Sequence, residues 1–400
     1  MENTRQILKL EPASVLKPWG ITHGEVREST GIQVGLGELW LASAQTGPGN
    51  YASEISNPDL EQNLAELLFD LSEKGESALI SVLGEYAVRV LTETPHRGKT
   101  EAWHVRKAEG RVGFAAGPRT ENQCRELEEL LTGPGLSARI KDWSPEVRDL
   151  FGLIQPVQEG EIYMVPAGTL HTMFGIGEDS TLIVDEIQQG YGTSWLPTLS
   201  KILMVQDDLL SVQVHPSDST VAAAARGELD IDQDLESNPT VRVYDFGRRP
   251  GEYPELGFQL ADPGEGLRLV NPVAIQPTSG VDYRIMVANE SFVKATIDLE
   301  AGVRWKWDRD AGTYHVLHCS QGSVSLTAGG DEISLQRGET VFVPASLEDE
   351  LVLETREGGQ LSDDCMCSPA ELKGYLAEHG AEKTAIEGLF SPPKWYDSRG

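Results

Sequence analysis

Much of the chain alternates apolar and polar residues with a period of two. Runs such as GEIYMVPAG, STLIVDEIQQ, DYRIMVANESFVKATIDL and SVSLTAGGDEISLQRGETVFVPA are β-branched or aromatic and are punctuated by Gly, Pro or Asp. That texture predicts antiparallel strands in a sandwich or barrel. Helical spacing is scarcer. SNPDLEQNLAELLFDLSEKG has an Asn cap, apolar residues three and four apart and a terminal Gly. ENQCRELEELLTG and SPAELKGYLAEHG read the same way, so helices are expected to pack around a β core.

One stretch occurs twice. GEIYMVPAG (Gly160 to Gly168) returns as GETVFVPAS (Gly338 to Ser346), which predicts two related β modules. Five residues past the proline the copies diverge, to His171 in the first and Asp349 in the second. A metal held by the first copy is therefore not expected in the second. A chain of 400 residues exceeds what one core usually serves. The expected division is a metal-binding unit with helical insertions over 1–280, a second barrel over 281–368, and a helical tail with an extended arm over 369–400. The stretch VNPVAIQPTSGVDYR marks the first boundary.

Charge narrows the partners. With 63 acidic and 33 basic residues the formal charge is -30, which argues against nucleic acid or an anionic membrane. An anionic small molecule would need a locally basic spot. No apolar run approaches twenty residues and MENTRQILKLEP lacks a signal-peptide core, so a cytoplasmic location is expected. Cys124, Cys319, Cys365 and Cys367 form no CxxC pair, so neither a structural disulfide nor a thiolate zinc site is expected from their spacing.

Four segments carry candidate chemistry. In LLSVQVHPSD, Gln213 and His215 lie two apart in an apolar run and point the same way from a strand. In GKTEAWHV, Lys99, Glu101 and Trp103 share a face, and a buried Glu there requires a cation. VPAGTLHTM offers His171 where a strand begins. LIVDEIQQ places Glu186 and Gln188 on one face and Asp185 and Gln189 on the other, so polar groups enter the core whichever side is buried. Each has a plainer alternative: mutual satisfaction of Gln and His, a solvated Glu–Lys face, or an edge strand with one wet side. Together, one Gln, two His and one Glu form a sulfur-free ligand set. It suits Zn²⁺, permits Mn²⁺, Fe²⁺ or Co²⁺, and leaves room for water or a substrate oxygen.

KPWG, GELWLAS, GKTEAW, VPAGTLH, DEIQQ, LLSVQVHP and VRVYDFGRR, taken together from about residue 15 to 350, resemble the type I mannose-6-phosphate isomerases, which are zinc-dependent bicupins. The resemblance implies a mainly β fold of two cupin, or jelly-roll, barrels with a small helical decoration. It implies one zinc held by Gln213, His215, Glu101 and His171, active-site roles for Lys99, Glu186 and Arg242, and substrate-phosphate contacts from Ser211 and Lys201. The implied reaction interconverts mannose 6-phosphate and fructose 6-phosphate by proton transfer through an enediol. The second barrel is expected to have lost its ligands; His315 and His318 of YHVLHCSQG, three apart, fall on opposite faces of a strand. The order of motifs departs from the family, where the Q-x-H strand precedes the K-x-E strand. Here it follows DEIQQ. Long connections make such a transposition cheap, since each doubling of a loop costs only about 0.6 kcal/mol. Isomerisation of a different sugar phosphate, and a non-catalytic sugar-phosphate-binding bicupin, remain alternatives. The sequence does not choose between a monomer and a homo-oligomer.

Overall fold

A computed structural model describes residues 6–27, 32–46, 51–58, 60–132, 152–154, 156–191, 194–231, 233–245, 253–307, 312–328, 331–347, 351–392 and 394. Asp349, residues 246–249 of VRVYDFGRR and most of the terminal SPPKWYDSRG lie outside them. The described chain is mainly β and forms two large sheets whose strand pairings are antiparallel. The first runs in the order Arg268–Val270, Ile162–Val165, Glu101–Gly117, Leu170–Gln189, Thr198–Val205, Ile32–Ala42, Ala13–Lys17. The second runs Val273–Ile275, Val281–Ala288, Val293–Leu299, Gly359–Cys365, His315–Ala328, Thr340–Val343, Leu8–Glu11, Glu54–Ile55. Sheet membership changes between Val270 and Val273, while the strand Leu8–Glu11 is given to the second sheet by its pairing with Thr340–Val343.

Two long strands determine the shape of the first module. Glu101–Gly117 and Leu170–Gln189 pair along their whole length, from Glu101↔Gln188 at one end to Ala116↔His171 at the other. Laid flat, fifteen residues would separate Glu101 from Ala116 by about 50 Å. Yet the Glu101 carboxylate lies 3.7 Å from the His171 imidazole. The ribbon therefore doubles over on itself, with register shifts at Val105/Lys107 and Glu109/Arg111 and an exposed fold at Glu109–Arg111 and Gly177–Asp179. Gly110 sits at the fold with φ of 69°, where a Cβ would come within 2.8 Å of the Asp179 carbonyl oxygen. A side chain there would be strained in both backbone and contact.

The sequence repeat is a repeat of hydrogen bonds. Gly160 N donates to Val105 O and Val105 N to Glu161 O; Gly338 N donates to Cys319 O and Cys319 N to Glu339 O. In both copies the turn is closed by the Glu side chain, which accepts from Gln158 N in one and Gln336 N in the other.

Helices cover the flanks. Asn63 caps Leu64–Lys74 in a capping box with Glu66, as the SNPDLEQNLAELLFDLSEKG pattern predicts. Two further helices, Glu76–Leu83 and Glu85–Glu93, follow where no helix was read from the sequence. Gly75 and Gly84, both at positive φ, break this stretch into three short helices. Leu64, Leu68, Leu79, Val82 and Leu83 pack with Leu8 and Phe342 of the second sheet and with Tyr314 just before its strand His315–Ala328. ENQCRELEELLTG and SPAELKGYLAEHG form Glu121–Thr132 and Pro369–Glu378.

Both faces of Thr181–Gln189 are covered. Glu186 and Gln188 point into the first barrel, while Ala102, Ile162, Met164 and Ile187 on the other side share a core with the second sheet. Asp185 and Gln189 are buried too, at 4% and 5% exposure, so the strand has no wet side. Two ion pairs lie in this inter-sheet layer: Arg106 with Asp185 at 3.2 Å, and Lys294 with Asp364 at 2.9 Å, both partners of the latter 1% exposed. Removing one member of such a pair leaves an uncompensated buried charge. Lys294→Met is therefore expected to lower the unfolding free energy by about 3–5 kcal/mol, and Lys294→Met with Asp364→Leu by much less. Urea unfolding of the three proteins measures this; equal losses in single and double variants would contradict it.

Candidate metal centre and cavity

Two cross-strand rows build the site. In one, Arg242 of Val241–Tyr244 stands opposite Gln213 of Val212–Val214, and Gln213 stands opposite His171. In the other, Trp103 pairs with Glu186, Glu186 with Lys201, and Lys201 with Trp40. Residues opposite one another on an antiparallel pair project from the same face. Doubling the ribbon sets the two rows across the barrel interior, with Glu101 between them.

At the centre, Glu101, His171 and His215 are each 1% exposed, and their ligating atoms lie within 4.8 Å of one another. His215 Nε2 is 3.2 Å from Glu101 Oε1 and His171 Nε2 is 3.7 Å from Oε2. His171 Nδ1 donates to the Thr169 carbonyl at 2.8 Å and His215 Nδ1 to the Pro239 carbonyl at 3.3 Å. Both Nε2 lone pairs are thereby turned toward Glu101. The Gln213 amide reaches His171 Nε2 at 3.2 Å. Lys99 contacts Glu101 and approaches His215 Nε2 to 3.4 Å.

Electrostatics keep this set in ligand form. Burial opposes charge on Glu101, but the Lys99 ammonium leads the contributions that outweigh it and hold the carboxyl well below the usual carboxylate range. Burial lowers His171, and burial with Lys99 lowers His215 to about 3, so both rings are neutral. Neither Glu101 oxygen has a partner in hydrogen-bonding geometry. A buried carboxylate whose one close cation is Lys99, facing two neutral imidazole lone pairs, fits a divalent cation.

Beside this cluster lies a cavity of about 340 Å³. Every other candidate residue lines it: Lys99, Glu186, Lys201, Ser211, Gln213 and Arg242. All nine sequence-derived site residues are thus brought together, and the transposed Q-x-H strand lies against the start of Leu170–Gln189. Burial and the charge of Glu101 push Glu186 up to about 7, with Lys201 at 3.0 Å opposing. Lys201 is raised by Glu186 and Glu38 against its own burial, and its ammonium sits 5.0 Å above the Trp40 ring.

Sequence reasoning gave no role to Lys17, Trp19, Glu38 and Trp40, which line the cavity on the side of Lys201. Glu38 accepts from Trp40 Nε1 at 3.0 Å and pairs with Lys17 at 2.9 Å. KPWG and GELWLAS were the available signal, since they put three of these residues at alternate positions on neighbouring strands.

Comparison with known proteins bears on the fold. No family model and no curated protein matches the chain. Among solved structures, mannose 6-phosphate isomerase from Bacillus subtilis is similar over 90% of this chain and 99% of its own, with TM-score 0.53 and 17% identity. Two variants of phosphomannose isomerase from Salmonella typhimurium are similar over 90% of this chain and 98% of theirs, with TM-scores of 0.51 and 0.50 at 12% and 13% identity. The chain shares the β-rich, cupin-like fold of these proteins.

Burial opposes ionisation of Glu38, but Lys17 and Lys201 prevail and lower its carboxyl from 4.5 to about 2. Its folded pKa is depressed, so its stabilisation is complete above about pH 4.5 and is lost as pH falls through 2. Glu38→Gln is expected to cost on the order of 3 kcal/mol at neutral pH. In urea unfolding at a series of pH values, the gap from wild type should narrow below pH 4.5; a gap independent of pH would refute the assignment.

Proposed function

We propose that the chain is a metal-dependent aldose–ketose isomerase that interconverts mannose 6-phosphate and fructose 6-phosphate. The observation that carries this reading is a sulfur-free Glu/His/His cluster, with Gln213 beside it, opening on a cavity whose walls bear Lys17, Lys99, Lys201 and Arg242 in a chain of net charge -30. Cations concentrated in so acidic a protein suit a small anionic substrate. Similarity of fold to mannose 6-phosphate isomerases directs the choice of sugar phosphate.

In this reading Glu101, His171, His215 and Gln213 hold one zinc, with manganese, iron or cobalt as substitutes. The ion, when bound, supplies Lewis-acid stabilisation of negative charge developing on the sugar oxygens. Lys201, Ser211 and Arg242 bind and orient the phosphate end. Arg242 can present two parallel N–H groups to it, a geometry lysine lacks. The reaction moves one proton between C2 and C1 and shifts the O1/O2 protons, so a group must take and return it on one face of the sugar. Glu186 is the proposed base. It is buried on the cavity wall and titrates near neutral pH, which suits a group that both accepts and donates. Lys99 is the proposed partner for the oxygen protons, because it stands between the cluster and the cavity.

A coupled mannose 6-phosphate isomerase assay on purified protein, before and after chelation, tests the reading directly. Turnover that a chelator abolishes and zinc restores is expected. Bound sugar phosphate without turnover would reassign the cavity to a sensor, and turnover of another aldose phosphate alone would change the substrate. His171→Ala should lose the ion from this cluster and activity together; activity that survives its loss sinks the mechanism. Glu186→Gln should lower kcat by about 10²–10⁴-fold, the usual range for a general base. If Lys99→Met shows that loss and Glu186→Gln does not, the base is Lys99.

A further inference from the structure

The repeat in hydrogen bonding aligns the two modules residue by residue. Glu101 pairs with Val165 on one side and Gln188 on the other; His315 pairs with Val343 and Cys365. Trp103 stands opposite Glu186, and Leu317 opposite Asp363. His315, Asp363 and Cys365 thus occupy in the second module the positions of Glu101, Glu186 and Gln188 in the first. All three are buried, and their ligating atoms lie within 4.8 Å of one another.

The arrangement of this second cluster is specific. His315 Nδ1 lies 2.8 Å from Asp363 Oδ1, and Asp363 Oδ2 accepts from the Tyr283 hydroxyl at 3.2 Å. His315 Nε2 has no partner, although the residue is only 3% exposed. An imidazole whose Nδ1–H is held by a carboxylate and whose Nε2 is bare is the usual form of a metal-binding histidine. His315, Cys365 and Cys367 all line one cavity of about 390 Å³, walled by Tyr283, Trp307 and Tyr375. The Cys365 and Cys367 side chains contact each other and are free thiols.

We infer that the second module holds its own site for a thiophilic divalent cation of the zinc class, built on His315 Nε2 and Cys365 Sγ of the His315/Asp363/Cys365 cluster, with Asp363 as the residue that positions His315 and Cys367, on the same cavity wall, as a further thiol donor. Thiolate and imidazole donors select zinc, cobalt or cadmium over magnesium or calcium. Each thiol that ligates gives its proton to solvent as the sulfur–metal bond forms, so no oxidant or reductant is required. Glu371 lines the same cavity, which leaves a fourth position to its carboxylate or to water. The spacing of cysteines along the chain hides this site, because its imidazole is fifty residues away from Cys365 in sequence and next to it in the sheet.

Cobalt(II) separates the two centres, since thiolate ligation gives a near-ultraviolet charge-transfer band and the Glu/His/His cluster contains no sulfur. Titration of the reduced, full-length protein should produce that band, saturating by two equivalents because the Glu/His/His cluster also takes cobalt, and by one in His171→Ala. It should persist in His171→Ala and vanish in Cys365→Ser, and Asp363→Asn should weaken the cobalt affinity of this site by about 10–100-fold. Wild-type protein without a thiolate band at saturating cobalt, or a band that survives both Cys365→Ser and Cys367→Ser, would overturn the proposal. The optical readout is independent of isomerase turnover.

Discussion

The doubling of one antiparallel ribbon is the constraint on which the site depends. Glu101 and His171 are far apart along paired strands and 3.7 Å apart in space, and only closure of the barrel reconciles the two. Closure buries a carboxylate against two imidazoles and an ammonium. Such a cluster is costly without compensation, and the compensation here is mutual: Lys99 keeps Glu101 ionised while backbone carbonyls fix the tautomers of both rings. A position in which every partner is set by another tolerates little change in any one.

The same logic organises the cavity wall. Lys201 lies between Glu186 and Trp40 on neighbouring strands and also feels Glu38, which in turn holds Lys17. Alternating charges across the sheet let four cations face one space without mutual repulsion dominating. The three lysines remain donors for an incoming anion because each is bound to a carboxylate, and that interaction does not saturate an ammonium's three protons.

Much of this was legible in the sequence because strand alternation converts spacing into direction. Lys99, Glu101 and Trp103 do share the inward face, and Gln213 with His215 reaches the same spot despite the changed motif order, since a strand's neighbours depend on pairing and not on chain position. What the sequence could not disclose was what lies on the far side of a strand. Thr181–Gln189 could be read as having one wet face, but a second module packs there and buries Asp185 and Gln189 as well. The helices at Glu76–Leu83 and Glu85–Glu93 escaped because two glycines cut the stretch into pieces too short to display a clear period. Glu38 and Lys17 drew no notice because charged residues in short strands look solvated until the opposing wall is known. The likeness of His315 to Glu101 rests on register, which is a property of pairs of strands.

The strand Leu8–Glu11 carries a consequence for how the protein is made. It pairs Leu8 with Phe342, residues separated by 334 positions, and its other edge is taken by Glu54–Ile55. At synthesis rates of 5–20 residues per second, this strand waits roughly 15–70 s for its partner to be made. During that interval an apolar edge containing Leu8 and Leu10 is uncovered, at risk of pairing with another nascent chain. Segments 8–11 and 340–343 therefore complete this edge of the second sheet only once most of the chain between them has been made.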